Sequence, residues 1–134
     1  MAERRKRSDI YETGMQTRRA VLGAAHVDAA QARKTDFDEP FQDLITEAAW
    51  GHVWSRPQWS RRERSMVTIA LLAALGHHEE LAMHVRATAN TGAGADDSRE
   101  ALMHVAIYAG VPAANAAFRI ARQALAEIEG DKPA

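Results

Sequence analysis

Apolar residues recur three and four positions apart along most of this chain, the period of an α-helix with one face turned to a core. Ile10, Met15, Val21 and Leu22 mark a first helix that Ser8 can cap and Gly23 can end. From Ala24 to Glu39 the pattern is weak and polar, so residues 24–39 read as a loop or linker. Pro40 suits a first helical turn, and Phe41, Leu44, Ile45 and Ala48 follow on one face. That helix should end near Trp54, because Pro57 pushes Arg56 out of the helical region. Ser60 and Glu63 form an S-x-x-E capping box before "MVTIALLAAL", and Gly76 is a natural stop. Apolar residues surround this helix on nearly all sides, which predicts the buried central element. A helix through "HHEELAMHVRATANT" should end at Gly92, and Asp97 and Glu100 offer a second capping box before "ALMHVAIYAG". Gly110 and Pro112 break the chain ahead of a last helix, from about Pro112 to Ile128. No strand alternation of useful length interrupts this. The expectation is an all-α fold of about six helices.

Composition narrows the picture. A chain of 134 residues, 46% apolar and 26% charged, suits a single domain over residues 1–134. A net charge of -1 makes no electrostatic case for a nucleic-acid or membrane partner. Arg4, Arg5, Lys6 and Arg7 read as a flexible basic N-terminus over residues 1–7, since no second basic patch accompanies them. Cysteine is absent, which removes disulfides, thiolate metal sites and thiol nucleophiles together. No apolar segment follows "MAERRKRSD" to form a signal peptide, and "MVTIALLAAL" is too short to span a bilayer. A cytoplasmic protein is expected.

The candidate chemistry lies in "LGHHEELAMHVR". On a helix His77, Glu80 and His84 would share one face, each a turn from the next. The two histidines would stand about 10 Å apart along the axis, too far to close on one metal ion, so no metal site is expected. Glu80 and His84, four apart, could hydrogen-bond and form an acid–base pair. The same spacing also describes an ordinary exposed helix pair. Arg56, Arg61, Arg62, Arg64 and Arg86 could clamp a carboxylate. Arg61, Arg62 and Arg64 stand at a helix start, where cations oppose the dipole, and that favours an anion nearby. His104 and Tyr108 form another i, i+4 pair, readable as half-buried packing. Trp50, Trp54 and Trp59 gather the large flat side chains within ten positions. "AANAAF" presents a small-residue face suited to close helix packing within or between chains.

These stretches carry a resemblance. W-G-x-x-W-x-R-P at Trp50–Pro57, E-L-x-x-H-x-R at Glu80–Arg86 and Y-A-G-x-P at Tyr108–Pro112 together resemble the carboxymuconolactone decarboxylase family. The opening "YETGMQTRRAVLG" is similar as well, so the likeness spans nearly the whole chain. It implies an AhpD-like all-α fold, a homo-hexamer, and a place in the protocatechuate branch of the β-ketoadipate pathway. Thiol-dependent relatives in that superfamily carry C-x-x-C-x-x-x-H; here His77 and Glu80 stand at the cysteine positions and His84 keeps the histidine. The resemblance thus implies proton transfer in place of redox chemistry, with no cofactor.

It further implies a small carboxylated lactone as substrate and His84, oriented by Glu80, as the proton-handling residue. Arg56 or Arg64, then Arg86, would anchor the substrate. Trp50, Trp54 and Tyr108 would form apolar walls, and His77 would assist or line the entrance. His104 stands where glutamine is expected. The alternatives are a related AhpD-like enzyme acting on another lactone or keto acid, and a helical oligomerisation module without activity.

Overall fold

The computed structural model describes residues 7–132. The protein is all-α. Its described residues form seven α-helices and one π-helical segment: α1 (Asp9–Leu22), α2 (Ala24–Arg33), α3 (Glu39–Ile45), the π-helical Thr46–Trp54, α4 (Arg61–Leu75), α5 (His78–Thr91), α6 (Ala95–Tyr108) and α7 (Val111–Asp131). The chain falls into two compact units, one up to Gln58 and one from Trp59, where length alone suggests a single core.

In the first unit α1 starts and stops as the sequence predicts. The Ser8 hydroxyl accepts from the Tyr11 N–H at 3.1 Å, and Gly23 closes the helix with its N–H on the Arg19 carbonyl at 2.9 Å. The segment expected to be a loop is instead helical over Ala24–Arg33. Its alanines favour helix strongly, and only Val27 is buried, so the helix shows no apolar period to read. Arg7, expected to be mobile, is held by Glu39 and Asp43 and lies 4.5 Å from the Tyr11 ring centre. Arg4, Arg5 and Lys6 lie outside the described residues.

Pro40 sits in the first turn of α3, which runs on into the wider π-helical turns and reaches Trp54 as expected. α1 packs along this π-helical segment. The backbones nearly touch at two glycines: a Cβ on Gly14 would lie 2.1 Å from the Thr46 carbonyl oxygen, and one on Gly51 would lie 2.7 Å from that of Ile10. The Ser55 hydroxyl meets that of Thr17 at 2.7 Å and donates to the Trp50 carbonyl at 2.6 Å.

The second unit packs α4, α5, α6 and α7 around Ile69, Leu81, Val85, Leu102 and Val105. Ala114, Ala117, Ala121 and Ala124 recur every three or four residues on α7 and are all buried, so the small-residue face serves close packing within the chain. The Ser60–Glu63 capping box forms as predicted, with bonds of 3.1 and 2.9 Å, and Gly76 ends α4 in the left-handed region at φ 75°.

α4 is not enclosed. It buries Ser65, Ile69 and Ala73, while Val67, Leu71 and Leu75, four residues apart, face outward with Leu71 56% exposed. An apolar sequence all round reports burial of both faces only once every partner is present.

α6 begins at Ala95, earlier than an Asp97 cap would allow. Asp97 instead accepts the Gly94 N–H at 2.9 Å and a two-point contact from Arg62 at 2.9 and 2.5 Å. One of the arginines that seemed to call for an external anion therefore finds its anion within the fold. The Arg62 hydrogen bond holds the Asp97 carboxyl below its usual pKa, and the Ser60 backbone does the same for Glu63.

A carboxyl depressed on folding contributes stability above its unfolded pKa and loses it as pH falls through the folded value. The thermal midpoint should therefore drop as pH is lowered below about 4. In Asp97→Asn the midpoint should start lower at pH 7 and fall less steeply across that window. Parallel curves for the two proteins would show that this carboxylate carries no such linkage.

Candidate active site

Gly76 turns the chain so that α5 follows directly on α4. His77 occupies the N-cap of α5 at φ -85° and ψ 79°, outside the helical region, with its carbonyl accepting the Leu81 N–H at 2.9 Å. Of the expected three-residue stripe, Glu80 and His84 lie within α5 and His77 forms its cap. Glu79 and Glu80 fill the first turn, where a negative charge complements the helix dipole.

Glu80 is exposed, and among the described residues no hydrogen bond or ion pair reaches its carboxylate. One turn on, His84 is only 7% exposed, on a face shared with the buried Leu81, Val85 and Thr88. Sequence spacing places these two groups a turn apart correctly. It could not show that one imidazole would be dry and its carboxylate neighbour wet.

The other expected site residues lie on several elements of the two units. On α4, Arg64 is half-buried, its guanidinium 5.9 Å from the centre of the Trp59 ring. Arg86, on α5, is committed to Glu127 of α7 at 3.2 Å, with both side chains about half exposed. Tyr108 is 80% exposed and stacks on His104 with ring centres 4.9 Å apart. Both residues are exposed, so the pair is not half-buried packing.

In the first unit Trp50 and Trp54 are buried with ring centres 5.1 Å apart, tilted by 34°. Both lie on the π-helical segment. Arg56 is exposed just after it, its N–H on the Val53 carbonyl at 3.1 Å.

One buried charge escaped the sequence reading. Arg18, on α1, is 6% exposed, and its Nε and Nη1 atoms are shielded from water with no hydrogen-bond partner among the described residues. Burial lowers its pKa from the ordinary arginine value. The Tyr11 hydroxyl acts in the opposite sense, and neighbouring Arg19 adds to the lowering. A signal was present. Tyr11, Gly14, Arg18 and Val21 are spaced three, four and three apart, and all four are buried on α1.

Comparison with known proteins gives the family of this chain. The sequence model of the Carboxymuconolactone decarboxylase family matches residues 39–123, a span that includes the π-helical segment and α5. A 4-carboxymuconolactone decarboxylase of Acinetobacter baylyi is 44% identical over 118 residues, 88% of each chain. Nitrosuccinic acid decarboxylase npaB of Metarhizium robertsii is 40% identical over 103 residues, covering 77% of this chain and 72% of its own. A 4-carboxymuconolactone decarboxylase sequence of Pseudomonas putida is 54% identical over 41 residues, 31% of this chain and 85% of that one. With the family's pattern matched over most of its length and one relative aligned almost from end to end, this chain belongs to the carboxymuconolactone decarboxylase family.

Proposed function

We propose that this protein decarboxylates 4-carboxymuconolactone to 3-oxoadipate enol-lactone, without a cofactor, in the protocatechuate branch of the β-ketoadipate pathway in the cytoplasm. The observation that carries this reading is the 44% identity with a decarboxylase of that substrate over 88% of both chains.

The chemistry suits a protein that offers only proton transfer and electrostatics. The bond from the ring carbon to its carboxylate breaks and carbon dioxide leaves. The electron pair delocalises through the ring double bond into the lactone carbonyl. A proton then adds at the carbon alpha to that carbonyl.

His84 is assigned the stabilisation of the growing enolate charge and delivery of the proton, which its buried setting favours by keeping competing water away. Glu80, a turn earlier, is assigned to orient the imidazole as substrate closes the site. Catalytic hydrogen bonds are often unformed until substrate is bound. Trp50 and Trp54 are assigned as the apolar surface, Arg56 and Arg64 as the residues that anchor the substrate, and His77 as a residue of the entrance. Arg86 and Tyr108 are weaker candidates, one already paired and the other in water.

The test is direct. Purified protein is added to 4-carboxymuconolactone freshly made from 3-carboxymuconate, and substrate loss is followed with carbon dioxide release. Equimolar carbon dioxide supports the reading, and none overturns it. Turnover should survive exhaustive chelation; activity lost to EDTA and restored by zinc would contradict the cofactor-free mechanism. A second reading, decarboxylation of nitrosuccinic acid, is favoured by the 40% identity with npaB and is tested by the same assay with that diacid.

Self-association is part of the proposal. Val67, Leu71 and Leu75 on α4 and Met103 and Ile107 on α6 expose apolar side chains, Ile107 at 78%. Exposed apolar side chains in this number on two helices are assigned to a covering partner, here a second copy of the chain. Light scattering should give a mass several times the 14.7 kDa protomer, nearest to six copies. A monodisperse monomer at micromolar concentration would count against it.

A further inference from the structure

We propose that the groove between α5 and α7 is a second ligand site, which takes a small dicarboxylate. α7 brings Arg119, Ile120, Arg122 and Glu127 to it, and α5 brings Ala82 and Arg86, around a cavity of about 350 Å³. Three guanidinium groups thus stand against one carboxylate. Glu127 pairs with Arg86 at 3.2 Å. Arg119 and Arg122 are exposed a turn apart on α7, and among the described residues no ion pair reaches either. Like charges at that spacing repel, and a cleft lined mostly by one sign of charge concentrates counter-ions. The same two arginines border a second depression toward the start of α7, with Pro112, Asn115 and Ala116. This groove is separate from the residue assigned to proton transfer. Ala82 and Arg86, four apart, share a face of α5. His84, midway between them, is turned roughly 160° away by the helical period and is buried.

The class of ligand follows from the layout of charge. Arginine on both helices provides two places for a carboxylate, each offering the paired N–H donors of a guanidinium fork. Ala82, Ile120 and Ala124 supply apolar surface in the same groove, which suits a short methylene spacer. A longer polyanion such as a nucleic acid is disfavoured. Past Arg86 the surface carries Glu127 and Asp131, and Lys132 there is already paired with Glu129 at 2.8 Å. Glu127 tunes the affinity, because its carboxylate competes with the ligand for Arg86. Both partners of that pair are about half exposed, so a bound dianion displaces the contact at little cost.

The test is titration calorimetry on the full-length protein at low ionic strength, with succinate as the probe and acetate and inorganic phosphate as comparisons. Wild type should bind succinate more tightly than either, since acetate has one carboxylate and phosphate carries its charge at one point. In the double variant Arg119→Gln, Arg122→Gln the succinate affinity should fall by roughly tenfold or more. Both positions are exposed and glutamine is a good helix former, so the fold is kept. Glu127→Gln, which removes the competing carboxylate, should bind succinate several-fold more tightly than wild type. Unchanged succinate affinity in the double variant, or weaker binding in Glu127→Gln, overturns the site. Acetate or phosphate binding as tightly as succinate overturns the dicarboxylate. The double variant should also turn over 4-carboxymuconolactone with wild-type kcat and KM. A KM that rises as succinate binding is lost overturns a second site, because the groove would then hold the substrate. Wild-type protein that releases no carbon dioxide, yet loses succinate binding in the double variant, would overturn the decarboxylase reading and leave this site standing.

Discussion

Replacing His84 with alanine should lower turnover of 4-carboxymuconolactone by about 10²- to 10⁴-fold, the range for losing a positioned general acid. The expectation rests on burial. His84 is shielded from water on the core side of α5, so no solvent molecule stands ready to take over its role. KM should move little, because carboxylate binding is assigned to arginine. Glu80→Gln should cost much less. Its carboxylate is exposed in the first turn of α5, where water screens the charge, and no hydrogen bond reaches it among the described residues. The measurement is kcat and KM for both variants, with circular dichroism to confirm that each is folded. A His84→Ala enzyme of near wild-type rate would remove this residue from the mechanism and pass the role to His77 or His104.

The legible and illegible parts of this protein divide along a physical line. Helix ends were legible because their chemistry is local: Ser8, Gly23, the Ser60–Glu63 box and Gly76 each act within a few residues of themselves. α2 was not, since an alanine-rich helix that buries only Val27 carries propensity without periodicity. The π-helical form of Thr46–Trp54 was also hidden, because apolar spacing does not separate wider helical turns from ordinary ones. At the site, the separation of Glu80 and His84 along α5 followed from spacing. The burial of one and exposure of the other depended on neighbours from α4 and α7 that spacing does not describe. Arg18 went unnoticed for the opposite reason. A charged residue on a buried face contradicts the binary pattern, and it is easily read as noise when it is the informative position.

The close approach of α1 to the π-helical segment sets up the other large effect. Gly14→Ala adds one methyl group, and in a helix that exchange ordinarily stabilises by about 1 kcal/mol. Here the Cβ would fall 2.1 Å from the Thr46 carbonyl oxygen and 2.9 Å from the Gly51 nitrogen, and both are backbone atoms with no rotamer to give way. Only separation of the two segments relieves the clash. That separation would strain the packing of α1 along the π-helical turns, including the Thr17–Ser55 contact and the setting of Trp50 and Trp54. Overpacking of this kind typically costs 1–3 kcal/mol and occasionally more; with backbone on both sides we expect about 3 kcal/mol or more, outweighing the propensity gain. Gly130, near the end of α7, supplies the contrast, because a Cβ there meets nothing within 4 Å. Gly130→Ala should leave the midpoint unchanged or raise it by up to about 1 kcal/mol in stability. Chemical denaturation followed by tryptophan fluorescence reads both variants. If Gly14→Ala unfolds at the wild-type denaturant concentration, the two segments do not pack at the separation described, and the glycine pair is not what brings them together.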